Sequence, residues 1–315
     1  MSNISPIPAD PGVPIRRQLA YIDTLGLRLP RHLMGWERDT LSSLCGSMHY
    51  AVKGLKFKIG QRWVRYPVKI TIHQPSHEAI QFLTGLFDEE TPARITRLDL
   101  AFDFCTNTIG DARKLQRYFR KHLFKGWHRP VHGIEAIGLS EEVTDYIGYR
   151  NWRSKIVGYS DRPSKVSGLP CYHLEWRFQS HKAIIALGIL SIDDLLFFNH
   201  RAFWETKLRL YEIDLVKLGK RLAHVHFNTP SRHRQYCGIK VNLDERRAQF
   251  EIMRICYERA DRSPRDVSLM EILSGVNVNI GNVLDVLVPL DAKRFLPICP
   301  RRPSQGKQWR GNDNS

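Results

Sequence analysis

Two stretches of this chain hold residues that could do chemistry together. Residues 94–104 read Arg-Ile-Thr-Arg-Leu-Asp-Leu-Ala-Phe-Asp-Phe. Leu98, Leu100, Phe102 and Phe104 recur at every second position, the period of a strand, which gives them a core face and leaves Arg97, Asp99, Ala101 and Asp103 on the other. Carboxylates on one side of a strand are expected to share a cation or a proton, and a hard ion such as Mg²⁺ or Mn²⁺ suits oxygen ligands of this kind. The second stretch runs from Tyr146 to Arg162 and is followed by His173-Leu-Glu-Trp-Arg-Phe178. It sets Tyr146 and Tyr159 among Arg150, Arg153, Lys155 and Arg162. A phenol beside cations ionises more readily, and the phenolate is a nucleophile toward phosphorus. Glu175 would add a third carboxylate, so that Asp99, Asp103 and Glu175, with His173 as a further ligand, could hold one divalent ion that polarises a phosphodiester. The same residues would also compose an ordinary sheet in which tyrosines pack and arginines pair with acids.

The elements that must position these groups follow from the pattern around them. Tyr21 to Leu29 alternates as a first strand, and order is expected from about Arg17. Ser47 to Ile59 and Trp63 to His73 read as a strand pair turned at Gly60-Gln61, the second with Val68, Ile70 and Ile72 on one face and Lys69 and Thr71 on the other. His77 to Phe87 has apolar residues at helical spacing, with Ser76 as its cap. Asp111 to Phe124 is a basic helix whose Arg117 and Lys121, interleaved with aromatics, are candidates for tracking phosphates. Residues 131–139 and 143–150 are extended, and Lys155 to Ser160 and Cys171 to Gln179 complete the strands. Beyond Ser180 the periodicity becomes helical, over Ile184 to Leu190, Ile192 to Phe198, Phe203 to Leu222, Leu243 to Ala260 and Ser268 to Leu273. The division expected is a disordered leader over 1–16, a core over 17–180, a helical part over 181–288 and a basic disordered tail over 289–315. The fold class expected is α+β: a mainly antiparallel sheet with helices on one face, then a helical C-terminal half.

Charge narrows the partners. Lys and Arg total 48 against 32 for Asp and Glu, so the formal net charge is +16, which favours polyanions such as nucleic acid. No apolar run approaches the ~20 residues that span a bilayer, and residues 1–15 lack a signal peptide's pattern, so no membrane partner and a cytoplasmic location are expected. The cysteines at 45, 105, 171, 237, 256 and 299 form no Cys-x-x-Cys pair, so neither a zinc module nor a disulfide framework is supported.

Three elements occur in a telling order: Arg97-Leu-Asp-Leu-Ala-Phe-Asp103, then Tyr146-Ile-Gly-Tyr-Arg150 leading into Gly158-Tyr-Ser-Asp-Arg162, then His173-Leu-Glu-Trp-Arg177. Over about residues 65–180 this resembles the replication initiation factors of filamentous phages and small rolling-circle plasmids, the Rep_trans-type initiators, and related relaxases. The chain has Tyr149 where that pattern has Ser and Gly158 where it has Arg, and its Arg162 stands for a Lys, shifted by one place. The resemblance implies a metal-dependent tyrosine endonuclease that nicks and rejoins origin DNA, single-stranded or supercoiled. It implies a covalent 5′-phosphotyrosine and a freed 3′ hydroxyl that primes host polymerase, with host helicase as a further partner and a homodimer as an allowed state. Tyr159 matches the pattern's tyrosine, and Tyr146 is the alternative. Asp99, Asp103 and Glu175 would hold Mg²⁺ or Mn²⁺, and Arg97, Arg150, Arg153, Lys155, Arg162 and Arg177 would hold DNA.

Other readings stay open. His224 and His226 form a His-hydrophobic-His triplet that on a strand would put both rings on one face as metal ligands, with Tyr236 or Tyr257 as nucleophile. A conjugative relaxase would share the tyrosine chemistry. A non-catalytic DNA-binding regulator would use only the basic surface.

Overall fold

The computed structural model describes residues 7–8, 11–59, 62–87, 92–124, 134–137, 144–147, 154–226, 244–246, 248–250, 252 and 286–297. The elements in order are β1 (Ile7–Pro8), β2 (Arg17–Leu29), α1 (Gly35–Ser43), β3 (Cys45–Ile59), β4 (Arg62–Pro75), α2 (His77–Leu86), β5 (Arg94–Cys105) and α3 (Ile109–His122). There follow β6 (Ile134–Ile137), β7 (Thr144–Ile147), β8 (Ser154–Tyr159), β9 (Cys171–Phe178), α4 (His181–Ile185), α5 (His200–Lys207), β10 (Tyr211–Ile213), α6 (Leu215–His226) and β11 (Leu287–Asp291).

Among the described residues, eight strands form one sheet in the order β3-β4-β2-β5-β9-β8-β7-β6, every neighbouring pair antiparallel. The strand carrying Asp99 and Asp103 thus lies inside the sheet between β2 and β9. Its even-numbered apolar residues do what their spacing predicts: Leu98, Leu100, Phe102 and Phe104 are buried with Leu25, Leu27 and Leu29 of β2 and Val68, Ile70 and Ile72 of β4. The helices cover this face. Phe119 of α3 meets Phe104 at 4.9 Å between ring centroids, and Trp204 of α5 meets Phe102 at 5.4 Å. Leu83 of α2 and Ile184 of α4 join the same apolar cluster. The α+β architecture with helices on one face is therefore present.

Helix starts follow local chemistry. Ser76 Oγ accepts from the Ala79 amide at 3.1 Å and Thr108 Oγ1 from the Asp111 amide at 3.1 Å, each such cap contributing about 1 kcal/mol.

Several expectations change. The single helix expected from Phe203 to Leu222 is two helices separated by β10, because Tyr211, Glu212 and Ile213 pair with Pro289, Val288 and Leu287. The expected tail begins as structure: β11 joins a three-stranded sheet in the order β1-β11-β10, and Phe295 is fully buried against Phe104, Tyr118 and Phe119. The expected leader likewise contributes β1 and the buried Val13. The helix α1 was not anticipated at all. The helix expected over Ile184 to Leu190 is the shorter α4, and Ile192 to Phe198 holds one 3-10 turn, Asp193–Leu195. Of the later helices, 253–260 and 268–273 lie outside the described residues, as does 298–315. Among the described residues, no helix is long and apolar enough to cross a membrane.

Candidate active site

Strand register assembles the polar face in rows. Antiparallel partners directly opposite one another share a face, so each row is a line of side chains crossing the sheet. One row runs Asp103 (β5), His173 (β9), Tyr159 (β8). The next runs Tyr21 (β2), Ala101, Glu175, Val157 and Tyr146 (β7). A third runs His73 (β4), Thr24, Asp99, Arg177 and Lys155. A fourth begins Thr71, Gly26, Arg97. The small side chain of Ala101 stands opposite Glu175, which is thereby diagonal to both Asp99 and Asp103, within reach of a long side chain.

The predicted acids, both predicted tyrosines and the cations Arg97, Lys155 and Arg177 therefore share one face of the sheet. The three carboxylates do not converge on one point. Asp99 and Asp103 are four residues apart along their strand, about 13 Å at the usual rise, so they cannot share an ion with each other. Both oxygens of Asp103 are engaged: Tyr21 donates to Oδ2 at 3.1 Å, and His173 Nδ1 lies 2.6 Å from Oδ1. Arg97 binds Asp99 Oδ2, and Arg177 donates to Glu175 Oε2 at 2.8 Å. Among the described residues, no three His, Cys, Asp or Glu side chains meet in a metal-holding group. What remains without a hydrogen-bond partner is Asp99 Oδ1 and Glu175 Oε1, both buried. A pair of carboxylate oxygens is what Mg²⁺ takes from a protein when waters and substrate phosphates complete its shell. The donor set thus fits an ion held by Asp99 and Glu175, without Asp103.

The electrostatics single out the same pair. Burial and repulsion from Glu175 raise the Asp99 carboxyl to about 7, against the pull of Arg97. Burial also opposes ionisation of Glu175, but the His173 imidazole, whose Nε2 lies 3.8 Å from Oε2, and the hydrogen bond from Arg177 overcome it and hold that group well below the usual carboxylate range. His173 is fully buried, which alone would favour neutral imidazole; its hydrogen bond with Asp103 and the nearby negative charge of Glu175 nevertheless raise it to about 9, so it is cationic at neutral pH.

Tyr159 stacks on the His173 ring, centroids 4.5 Å apart. Its phenol is raised above its ordinary value, by burial first and then by Glu175, Asp23 and Asp103. The expectation that neighbouring cations favour the phenolate is thus reversed for Tyr159, because burial and then the nearby carboxylates oppose the negative charge; the Arg162 guanidinium, largely exposed, lies 5.9 Å from its ring centroid. Tyr146 has the Lys155 ammonium 5.8 Å from its ring centroid and stands two strands away from Glu175. Gly158, where the resembled pattern has Arg, has a packing reason: a Cβ there would meet the Tyr172 hydroxyl at 2.6 Å.

Not every predicted residue joins this face. Arg117 and Lys121 are exposed on α3, which packs through Leu115 and Phe119 against the core face, so they lie across the sheet from the acids. Arg150 and Arg153 lie outside the described residues, as do Tyr236 and Tyr257. His224 and His226 fall at the end of helix α6, whereas that reading requires a strand. The shared-face argument for a histidine metal pair therefore fails.

Sequence reasoning missed Tyr21, Asp23 and Lys165. Asp23 is the extra residue of a β-bulge, where the pairing with β5 steps from Ile22 to Thr24. Its buried carboxylate accepts from Lys165 Nζ and Gln74 Nε2, each at 2.8 Å. The only signal in the sequence was an acid interrupting an otherwise apolar alternation.

No family model matches this chain, and no curated protein matches it by sequence. Among solved structures it is similar to one described as the rolling circle replication initiator protein from Geobacillus stearothermophilus, with a TM-score of 0.32, 14% identity, 61% of this chain and 87% of that chain covered. A likeness at this level carries no argument about activity.

Proposed function

We propose that this protein is a rolling-circle replication initiator, a metal-dependent tyrosine endonuclease and strand transferase acting on origin DNA. The observation that carries the proposal is the row Asp103, His173, Tyr159, which sets a phenol on a cationic imidazole beside the Asp99–Glu175 pair. Tyr159 Oη attacks the scissile phosphorus and the bond from phosphorus to the 3′ oxygen breaks. The 5′ phosphate stays on the tyrosine and the 3′ hydroxyl is released as a primer. The phenol's proton passes to the surrounding carboxylates, and the His173 imidazolium returns a proton to the departing oxygen. Arg97, Arg177 and Lys155 neutralise flanking phosphates. Mg²⁺ or Mn²⁺ held by Asp99 and Glu175 would withdraw charge from the phosphate oxygens when bound. Origin DNA, host helicase and host polymerase are the partners this function requires.

One observation favours the non-catalytic DNA-binding regulator instead: Arg97, Arg177 and His173 already pair with the acids, as in a structural network. The two separate on incubation with labelled single-stranded oligonucleotides tiling the DNA that flanks the coding sequence, in Mn²⁺. A protein–DNA adduct that survives denaturation and is lost in Tyr159→Phe supports the nuclease. Binding without any adduct at any oligonucleotide supports the regulator.

A further inference from the structure

Beside the acids, the polar face opens into a groove of about 420 Å³ whose lining includes Gly26, Arg28, Phe57, Lys69, Thr71 and Arg97. Its described lining contains cations and no acid, unlike the carboxylate-bearing part of the face next to it. Three further features give it a direction. Arg97 belongs to both places: its guanidinium lines the groove and binds Asp99. Gly26 forms the floor because it has no side chain; a Cβ there would meet Arg97 Cβ at 2.8 Å. The lining also includes Phe57, whose ring has the Arg94 guanidinium 4.5 Å from its centroid and packs edge-on with Tyr66, and Lys53, Lys56, Lys58 and Arg65 of the same β3–β4 pair are exposed.

A concave cationic groove suits a single nucleic-acid strand, whose phosphates pair with the cations. We infer that this groove seats the single DNA strand flanking the scissile phosphate and feeds it past Arg97 to the acids. The inference rests on the nuclease reading for the choice of DNA and for the direction of the strand. It predicts something that reading does not: affinity should depend on Lys69, which is remote from the chemistry, and not on the basic helix α3. Lys69 is exposed on the strand face opposite Val68 and Ile70, so its replacement leaves the core intact.

The test is fluorescence anisotropy of a labelled oligothymidylate with the full chain, over a range of salt concentrations. Lys69→Ala is expected to weaken binding several-fold and Lys69→Glu tenfold or more, and each lost phosphate contact should lower the slope of log K against log salt by about 0.7. Arg117→Ala with Lys121→Ala, on the other face, should leave affinity and slope unchanged. Unchanged binding in both Lys69 variants, or a loss confined to the α3 variant, overturns the groove. Adduct formation is scored separately on the same proteins. Lost affinity in the Lys69 variants with no adduct in the parent leaves the groove standing and removes the nuclease; adduct with unchanged affinity does the reverse.

Discussion

Asp103 and His173 face one another across β5 and β9, with His173 Nδ1 2.6 Å from Asp103 Oδ1 and both side chains buried. The pair is an ion pair at neutral pH, because His173 is raised from 6.5 to about 9. A group whose folded value lies above its unfolded one stabilises fully below the unfolded value and ceases to do so above the folded one. The contribution is therefore complete below pH 6.5 and lost as the pH climbs to about 9, an amount on the order of 3 kcal/mol at 1.36 kcal/mol per unit. Urea unfolding in the presence of chelator should show this loss between pH 6 and pH 9.5, and His173→Gln should flatten that part of the profile. An equally steep profile in the variant would refute the assignment.

Asp99 runs the opposite way from an ordinary carboxylate. Its folded value of about 7 exceeds the usual 3.8, so ionising it costs stability as the pH rises from about 4 to about 7. Asp99→Asn removes that cost, and relative to the parent the variant should gain on the order of 4 kcal/mol between pH 4 and pH 8 without metal. A cation would relieve the same repulsion in the parent. Mn²⁺ should accordingly raise the melting temperature of the parent more at pH 8 than at pH 5, and should do little for Asp99→Asn. If Mn²⁺ stabilises both proteins alike, Asp99 is not a ligand.

The alternation of Leu98, Leu100, Phe102 and Phe104 made β5 and its acidic face legible, because a period of two has one physical solution when one side is covered by helices. Local periodicity could not show what depends on partners far along the chain. The run from Phe203 continues a helical spacing through Leu210 and Tyr211, yet it breaks because β11, more than seventy residues later, pairs with it. Helix α1 escaped notice because Glu37 and Leu41 are its only buried residues, too few to make a stripe. The sequence reading gathers Asp99, Asp103 and Glu175 around a single ion. Its actual centre, Glu175 diagonal to Asp99 and Asp103, is a product of strand register, and Asp23 arrives through a bulge.

Phe295 tests whether the expected tail is part of the domain. Its ring lies 5.0 Å from Phe119 and 6.0 Å from Phe104, fully buried, although the surrounding sequence is rich in proline and cations. Phe295→Ala should cost about 3–5 kcal/mol, the usual range for emptying a buried aromatic site. A loss below about 1 kcal/mol in chemical denaturation would return this segment to the surface.

Gly26 sets how closely β2 can approach Arg97. A methyl group added there would stand 2.8 Å from Arg97 Cβ, and that atom sits on the backbone and cannot swing away. Gly26→Ala should therefore destabilise by about 1–3 kcal/mol through overpacking and displace the guanidinium from Asp99. With Arg97 withdrawn, the Asp99 carboxyl loses its main pull toward ionisation, so its titration should move up from about 7. Carboxyl NMR shifts of Asp99 across pH 5–9 report this directly, and an unmoved midpoint in a folded variant would show that Arg97 keeps its place.

The choice of nucleophile is decided by what surrounds each phenol. Tyr159 stacks on a cationic imidazole and lies in the field of the Glu175, Asp23 and Asp103 carboxylates, whereas Tyr146 meets the Lys155 ammonium and is separated from Glu175 by the β8 strand. Tyr159→Phe should abolish covalent adduct while leaving binding of uncleaved DNA within about twofold, since only the hydroxyl is removed. Tyr146→Phe should retain adduct with a modest loss of rate, less than tenfold, through the altered seat of Lys155. Mass spectrometry of a protease-treated adduct should find the nucleotide on the peptide containing Tyr159. A nucleotide on Tyr146 would exchange the two roles, and adduct retained in both single variants would move the chemistry away from this face of the sheet.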